Sequence, residues 1–91
     1  MKSGNVPIAY ILLNSDLGSE QAIIDEVKKI LDSESGIKYE VAGVYGVYDI
    51  ILKITADNTE KLRSIITHKI RKIDKVQSTL TMIVIEEQEN L

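Results

Sequence analysis

The chain contains no cysteine, which excludes two kinds of site. Without a thiol among its 91 residues, neither a disulfide framework nor a thiolate metal site can form. The same absence fits a cytoplasmic protein. The first residues lead into an apolar run that is too short and too interrupted for a signal peptide or a membrane span. We therefore expect a cytoplasmic protein that binds neither a metal nor a membrane.

Large aromatic side chains are scarce as well. Phenylalanine and tryptophan are absent, and isoleucine and valine dominate the 44% of residues that are hydrophobic. A core of β-branched residues favours sheet, and so small a core often gains further burial by oligomerising. The length indicates one domain, residues 1–91, with a core over about 7–87.

Groups that carry catalysis are few. The single histidine, His68, shares the polar face of a predicted helix with Lys61 and Lys72, which favours a surface position. The sequence has no nucleophile elbow, no phosphate-cradling glycine loop and no cluster with metal-ligand spacing. No base is placed to activate a serine or an aspartate. We expect no enzyme activity, no catalytic residue and no cofactor.

Charge is distributed unevenly along the chain. The net charge of −3 argues against wholesale nucleic-acid binding. The basic cluster, as we call it, consists of Lys61, Arg63, Lys69, Arg71, Lys72 and Lys75. Such a cluster could meet an acidic partner or a phosphate, but a solvated face of long side chains is more common. We interpret it as a solvated face.

Hydrophobic periodicity predicts the order βαββαβ. Strands are predicted at about 7–14, 39–45, 48–56 and 76–86, and helices at about 19–32 and from 59 to 71 or 73. The first strand is apolar on both faces, as is typical of a central strand. The predicted fold is α+β, a ferredoxin-like sandwich in which two helices cover one face of an antiparallel four-stranded sheet.

The sheet face without helices is expected to need a cover. If Ile50, Leu52 and Ile54 face the helices, Ile51 points away. For the last strand, we place Leu80, Met82 and Val84 on the helix side and Gln77, Thr79, Thr81, Ile83 and Ile85 on the opposite side. A patch that joins Ile51 to such neighbours is too apolar for a monomer, so we expect dimerisation through the sheet.

The region from 43 to 54 contains the candidate site. Gly46 and Val47 fall between two β-rich runs, and glycine at the first central position suits a type II′ turn. Asp49 follows at once, although aspartate is disfavoured in strands. Such a violation beside a turn often marks a site. Two interpretations stay open: the carboxylate accepts backbone N–H groups within the turn, or it faces a ligand.

Asp49 is predicted to share the open face with Thr79 and Thr81. A carboxylate, two hydroxyls and free turn amides can recognise a small zwitterion, because the acceptors take its ammonium group and the donors take its carboxylate. The sequence therefore predicts a site for a small zwitterion.

These features resemble the effector-binding domain of the Lrp/AsnC regulator family, also called the regulation of amino acid metabolism domain. The resemblance extends over about 7–87 and rests on the Gly-x-Tyr-Gly-x-Tyr-Asp motif at 43–49 and on the closing strand at 76–84. It implies dimers that form through the sheets, rings of dimers that are commonly octamers, and amino-acid effectors bound where dimers meet.

The resemblance also implies particular site residues. Gly46, Tyr48 and Asp49 match the hairpin part of the family's effector site, and Thr79 and Thr81 match its last-strand hydroxyls. Leu80 stands where a polar residue is usual between those hydroxyls, which could change the effector preference or only the packing.

Full-length members of the family carry an amino-terminal helix-turn-helix domain, and only six residues precede the first predicted strand here. We therefore expect a stand-alone effector module that does not bind DNA itself and acts in transcription regulation through a partner, such as a DNA-binding relative. Three alternatives stay open. They are an ACT-like regulatory domain, a small dimeric α+β barrel enzyme such as a cofactor-independent oxygenase, and an oligomerisation module without an effector.

Overall fold

The fold is a four-stranded antiparallel sheet with two helices on one face. It is taken from a computed structural model, which describes residues 6–85. The strands are β1 (Ile8–Ser15), β2 (Ile37–Gly43), β3 (Ile50–Ala56) and β4 (Val76–Ile83), and they lie in the sheet in the order β2-β3-β1-β4. The helices are α1 (Glu20–Asp32), between β1 and β2, and α2 (Thr59–His68), between β3 and β4. A 3₁₀ turn (Ile70–Lys72) follows α2. The predicted ferredoxin-like arrangement is confirmed, and β1 is central, between β3 and β4.

The helices bury the apolar stripes that their periodicity predicts. From α1, Ile23, Val27 and Leu31 are buried, and Leu62, Ile65 and Ile66 are the buried residues of α2. Both stripes join one core cluster with the sheet residues that face them, because each helix has only one apolar side to bury. The start of α2 is also as predicted, since the Asn58 side chain accepts the Lys61 N–H at 2.8 Å.

Two predicted boundaries differ from the structure. The second helix ends at His68 and is followed by the 3₁₀ turn, so it does not continue to residue 71 or 73. The sheet ladder between β2 and β3 stops at the pair Gly43 and Ile50, so residues 44–49 form an open loop instead of a two-residue type II′ turn. The last strand ends at Ile83; the predicted end, Glu86, lies outside the described residues.

The face assignment of the last strand is wrong. Across the β1–β4 ladder, Leu13 lies opposite Thr79, and Ile11 lies opposite Thr81. Directly opposed residues share a face of the sheet, and both β1 residues are fully buried beneath the helices. Thr79 and Thr81 are therefore on the helix side. Ile83 is there too, packed against the core cluster.

Leu80 and Met82 consequently occupy the open face, where they are 44% and 46% exposed. The strand carries aliphatic residues at both odd and even positions, so its own alternation does not decide between the two faces. Pairing with β1 decides, because a one-residue change of register would turn every side chain of the strand over.

Candidate functional site

The loop of residues 44–49, which we call the β2–β3 loop, is closed by Asp49. The Asp49 N–H donates to the Leu13 carbonyl at 3.0 Å, and its own carbonyl accepts the Val44 N–H at 2.8 Å. Its Oδ2 atom accepts the Ser15 backbone N–H at 3.0 Å and lies 3.3 Å from the Ser15 hydroxyl, which donates to it. One residue thus joins the base of the loop to the end of the central strand.

The Ser15 contact decides part of the question that the sequence left open. Asp49 does accept a backbone N–H, but from β1, 34 positions away in the chain, and not from the turn. Ser15 is 9% exposed at the end of β1, so its N–H and hydroxyl need partners within the protein. Sequence reasoning missed Ser15, because nothing in the local pattern connects the two positions.

The tip of the β2–β3 loop projects into solvent. Tyr45 and Val47 are almost entirely exposed, and Tyr48 is half-buried. Gly46 has φ 147°, a conformation that favours glycine, although no other atom lies within 4 Å of the position that a Cβ would take. A substitution at Gly46 would therefore meet a conformational cost and no steric clash.

The predicted site residues fall into two groups within one chain. Gly46, Tyr48 and Asp49 lie together in the β2–β3 loop, next to β1 on its β3 side. Thr79 and Thr81, both half-buried, lie in β4 on the other side of β1. Two strand spacings separate the groups by about 10 Å. The predicted open face shared by Asp49 and the two threonines is therefore not formed.

The open face of the sheet carries a continuous apolar row. Across β2, β3, β1 and β4, the ladders place Ala42, Ile51, Leu12 and Leu80 side by side. The next row, which runs Glu40, Lys53, Tyr10 and Met82, is mixed, and the Lys53 ammonium group lies 5.9 Å from the centre of the Tyr10 ring. No helix covers either row in the described chain. This surface has the composition of an interface: an apolar strip with charged groups beside it.

The same part of the chain contains neither a metal-binding cluster nor a membrane-spanning helix. Between residues 6 and 85, no group of three or more His, Cys, Asp or Glu residues is placed to hold a metal ion. None of the helices there has the length and apolar character needed to cross a bilayer. His68 is exposed at the end of α2.

Comparison with known proteins gives one consistent result. The family model described as the Lrp/AsnC ligand binding domain matches residues 9–90. An uncharacterised HTH-type transcriptional regulator of Pyrococcus furiosus, PF0250, is 35% identical over 78 residues, which are 82% of this chain and 49% of that protein. The chain thus spans about half the length of the curated relatives that it matches.

Solved structures agree with the family match. The hypothetical protein PHS023 of Pyrococcus horikoshii is 40% identical, with a TM-score of 0.69, over 89% of this chain and 92% of that one. The transcriptional regulator NMB0573 of Neisseria meningitidis, solved as a complex with L-Met, has a TM-score of 0.66 over 94% of this chain and 53% of its own. At 10% identity, the second likeness shows the fold alone.

Proposed function

The chain belongs to the Lrp/AsnC ligand-binding domain family, and we propose that it is a regulatory module that self-assembles and binds a small amino acid where copies meet. The observation that carries this proposal is the split of the candidate site. Its loop residues and its two threonines lie on opposite sides of β1, so the central strand, with Leu13 buried opposite Thr79, stands between them. A second copy can bring the missing group.

Self-assembly would begin at the open face. The row of Ala42, Ile51, Leu12 and Leu80 offers an apolar surface that a second sheet can cover. An isologous contact of this kind produces a dimer with two-fold symmetry. The loop residues and the helix-side threonines are not part of that row, so they stay available for contacts between dimers, as in a ring of four dimers.

The ligand would then lie between the β2–β3 loop of one copy and β4 of another. We assign Gly46, Tyr48 and Asp49 to the first half of the site and Thr79 and Thr81 to the second. Asp49 has two roles in this proposal: Oδ2 holds the loop through Ser15, and Oδ1 accepts from the ligand's ammonium group. Turn amides and threonine hydroxyls donate to its carboxylate.

A regulatory role is supported by the relatives, since PF0250 is named as an HTH-type transcriptional regulator. An amino acid is the effector class that we propose, because a carboxylate and hydroxyl groups suit the two charged groups of a zwitterion. A DNA-binding member of the family is the partner that we propose, in the cytoplasm, where such regulators act. The net charge of −3 supports contact with DNA through that partner instead of direct binding.

Assembly is tested by sedimentation of Leu80→Asp against Leu17→Asp. Leu80 lies in the apolar row, whereas Leu17 is fully exposed in the β1–α1 loop. A carboxylate in a buried contact is costly, so Leu80→Asp should weaken the dimer by more than about tenfold, and Leu17→Asp should leave it unchanged. A wild-type protein that is monomeric at micromolar concentration would refute assembly through this face.

The effector is tested by calorimetric titration with each of the twenty amino acids. For an amino acid that binds, Thr81→Val should weaken affinity by roughly two- to tenfold, because one neutral hydrogen bond is lost. Thr67→Val is the matched control, since Thr67 is exposed on α2. If no amino acid binds the assembled protein, the effector proposal is wrong.

A further inference from the structure

A groove on the helix side of the molecule has no part in the function proposed above. It lies between α1 and the segment that follows α2, and its volume is about 420 Å³. Ile30 and Ile73 give it apolar walls, while Lys69, Lys72 and Lys75 contribute positive charge. Half of the basic cluster therefore lies around one open groove of a size typical for small ligands, although all three lysines are solvent-exposed.

Lys75 occupies this groove in a conformation that is unfavourable for lysine. Its φ of 73° makes it the one non-glycine residue with positive φ among residues 6–85. Two hydrogen bonds hold the backbone there: its N–H donates to Asp74 Oδ1 at 3.1 Å, and its carbonyl accepts the Asp16 N–H at 2.9 Å. Glycine would fit this position without strain, yet the chain places a cation there. Local strain of this kind clusters at functional sites.

We propose that the groove binds a small phosphomonoester whose remaining part carries hydroxyl groups. Lysine ammonium groups act as point charges for phosphate, and Lys72 and Lys75 line the groove beside Lys69, whose ammonium group is paired with Glu34. Glu26 and Asp74 also line it, and their carboxylates can accept hydrogen bonds from hydroxyl groups. The two isoleucines provide apolar contact. A nucleoside monophosphate and a sugar phosphate share this chemistry.

The groove is independent of the amino-acid site. It contains none of the residues assigned to that site, and it lies in the helix layer, on the side of the sheet away from the apolar row. Sheet-to-sheet assembly would leave it open. Its ligand would therefore act as a second effector of the same module, bound at a separate site.

The test is calorimetric titration of the 91-residue chain with adenosine monophosphate, glucose 6-phosphate and adenosine. The wild type should bind at least one of the two phosphates at millimolar concentration or below, more weakly as salt is raised, and should not bind adenosine. The phosphate that binds more tightly identifies the source. Failure of both phosphates to bind, or binding of adenosine with equal affinity, would overturn the proposal.

Variants of the lysines separate binding from structure. Lys72→Ala should weaken phosphate affinity about tenfold or more, because one charged contact is lost, while Lys28→Ala, on an exposed part of α1 outside the groove, should not. Lys75→Gly should raise the melting temperature, since the strain is relieved, and should weaken binding as well. Equal losses in Lys72→Ala and Lys28→Ala, or unchanged binding in both groove variants, would count against the groove. Amino-acid affinity should be unchanged in all three variants.

Discussion

The two faces of the sheet are built from similar aliphatic residues, but within residues 6–85 only one of them is buried. Leu13 and Leu52 are fully buried beneath the helices, whereas Leu12 and Ile51, one position away along the same strands, remain half-exposed on the open face. The helix-side face is covered by α1 and α2 of the same chain. No element of residues 6–85 covers the open face, which is where we propose that a second copy packs. Folding stability should therefore depend on the first face and assembly on the second.

The largest expected effect is on the free energy of unfolding, and two adjacent leucines, one on each face of the sheet, test it. Leu13→Ala should lower the free energy of unfolding by about 2–5 kcal/mol, because it leaves a cavity in the core cluster. Leu12→Ala should cost less in the monomer, since its side chain already contacts solvent. Urea unfolding at low protein concentration measures both.

Repeating the unfolding at high protein concentration sharpens the comparison. Stability gained by association depends on protein concentration. The difference in unfolding free energy between wild type and Leu12→Ala should therefore be larger at high protein concentration. The difference between wild type and Leu13→Ala should be the same at both concentrations. Equal losses for the two variants at every concentration would show that the faces do not differ in this way.

Asp49, at the base of the β2–β3 loop, gives the next largest effect. Asp49→Ala should lower stability by about 1–3 kcal/mol, because it leaves the Ser15 N–H without its acceptor. Asp49→Asn should cost less, since an amide oxygen can still accept. For an amino acid that the wild type binds, Asp49→Asn should weaken affinity by roughly ten- to a hundredfold, because a charged hydrogen bond is lost.

Both quantities should be measured on the same variant. A lower melting temperature with unchanged affinity would restrict Asp49 to holding the loop and remove it from the ligand site. Asp16→Ala is a useful control, because Asp16 is exposed beside Ser15. Its hydrogen bonds with Lys75 and Ser19 use its backbone atoms, which the substitution keeps.

A smaller effect concerns the helix layer itself. Asn58→Ala should cost about 1 kcal/mol, because the side chain caps α2 through the Lys61 N–H. Ser19 stands at the equivalent position of α1 but makes no side-chain capping bond, so Ser19→Ala should cost less. Thermal unfolding of both variants checks this. Both changes should leave self-association intact, because the helices lie away from the open face.

The smallest effect is a pH dependence confined to the helix side. The hydrogen bond from Lys69 lowers the pKa of Glu34 below its usual 4.5. Its contribution to stability is therefore present above pH 4.5 and is lost as the pH falls through the folded-state pKa. Glu34→Gln should flatten this part of the melting-temperature profile. The change should be small, because Lys69 is about half exposed and solvent screens the pair.

Local sequence patterns predicted the features that depend only on neighbouring residues. The βαββαβ order and the start of the second helix at residue 59 follow from periodicity and capping chemistry, and both are present. The loop length was mispredicted, because a glycine between two β-rich runs suits a tight turn and equally suits an open loop. The assignment of Gly46, Tyr48, Asp49, Thr79 and Thr81 to a ligand site stays a prediction.

The order and approximate positions of the helices and strands could be read from the sequence, since these depend on contacts within a few positions. Only the tertiary structure decided which face Thr79, Thr81 and Leu80 occupy, because the register of an edge strand is set by its partner in the sheet. It also decided that Asp49 holds Ser15 and that three lysines share a groove. Each of these features joins residues that are distant in the chain, so no local periodicity reports them.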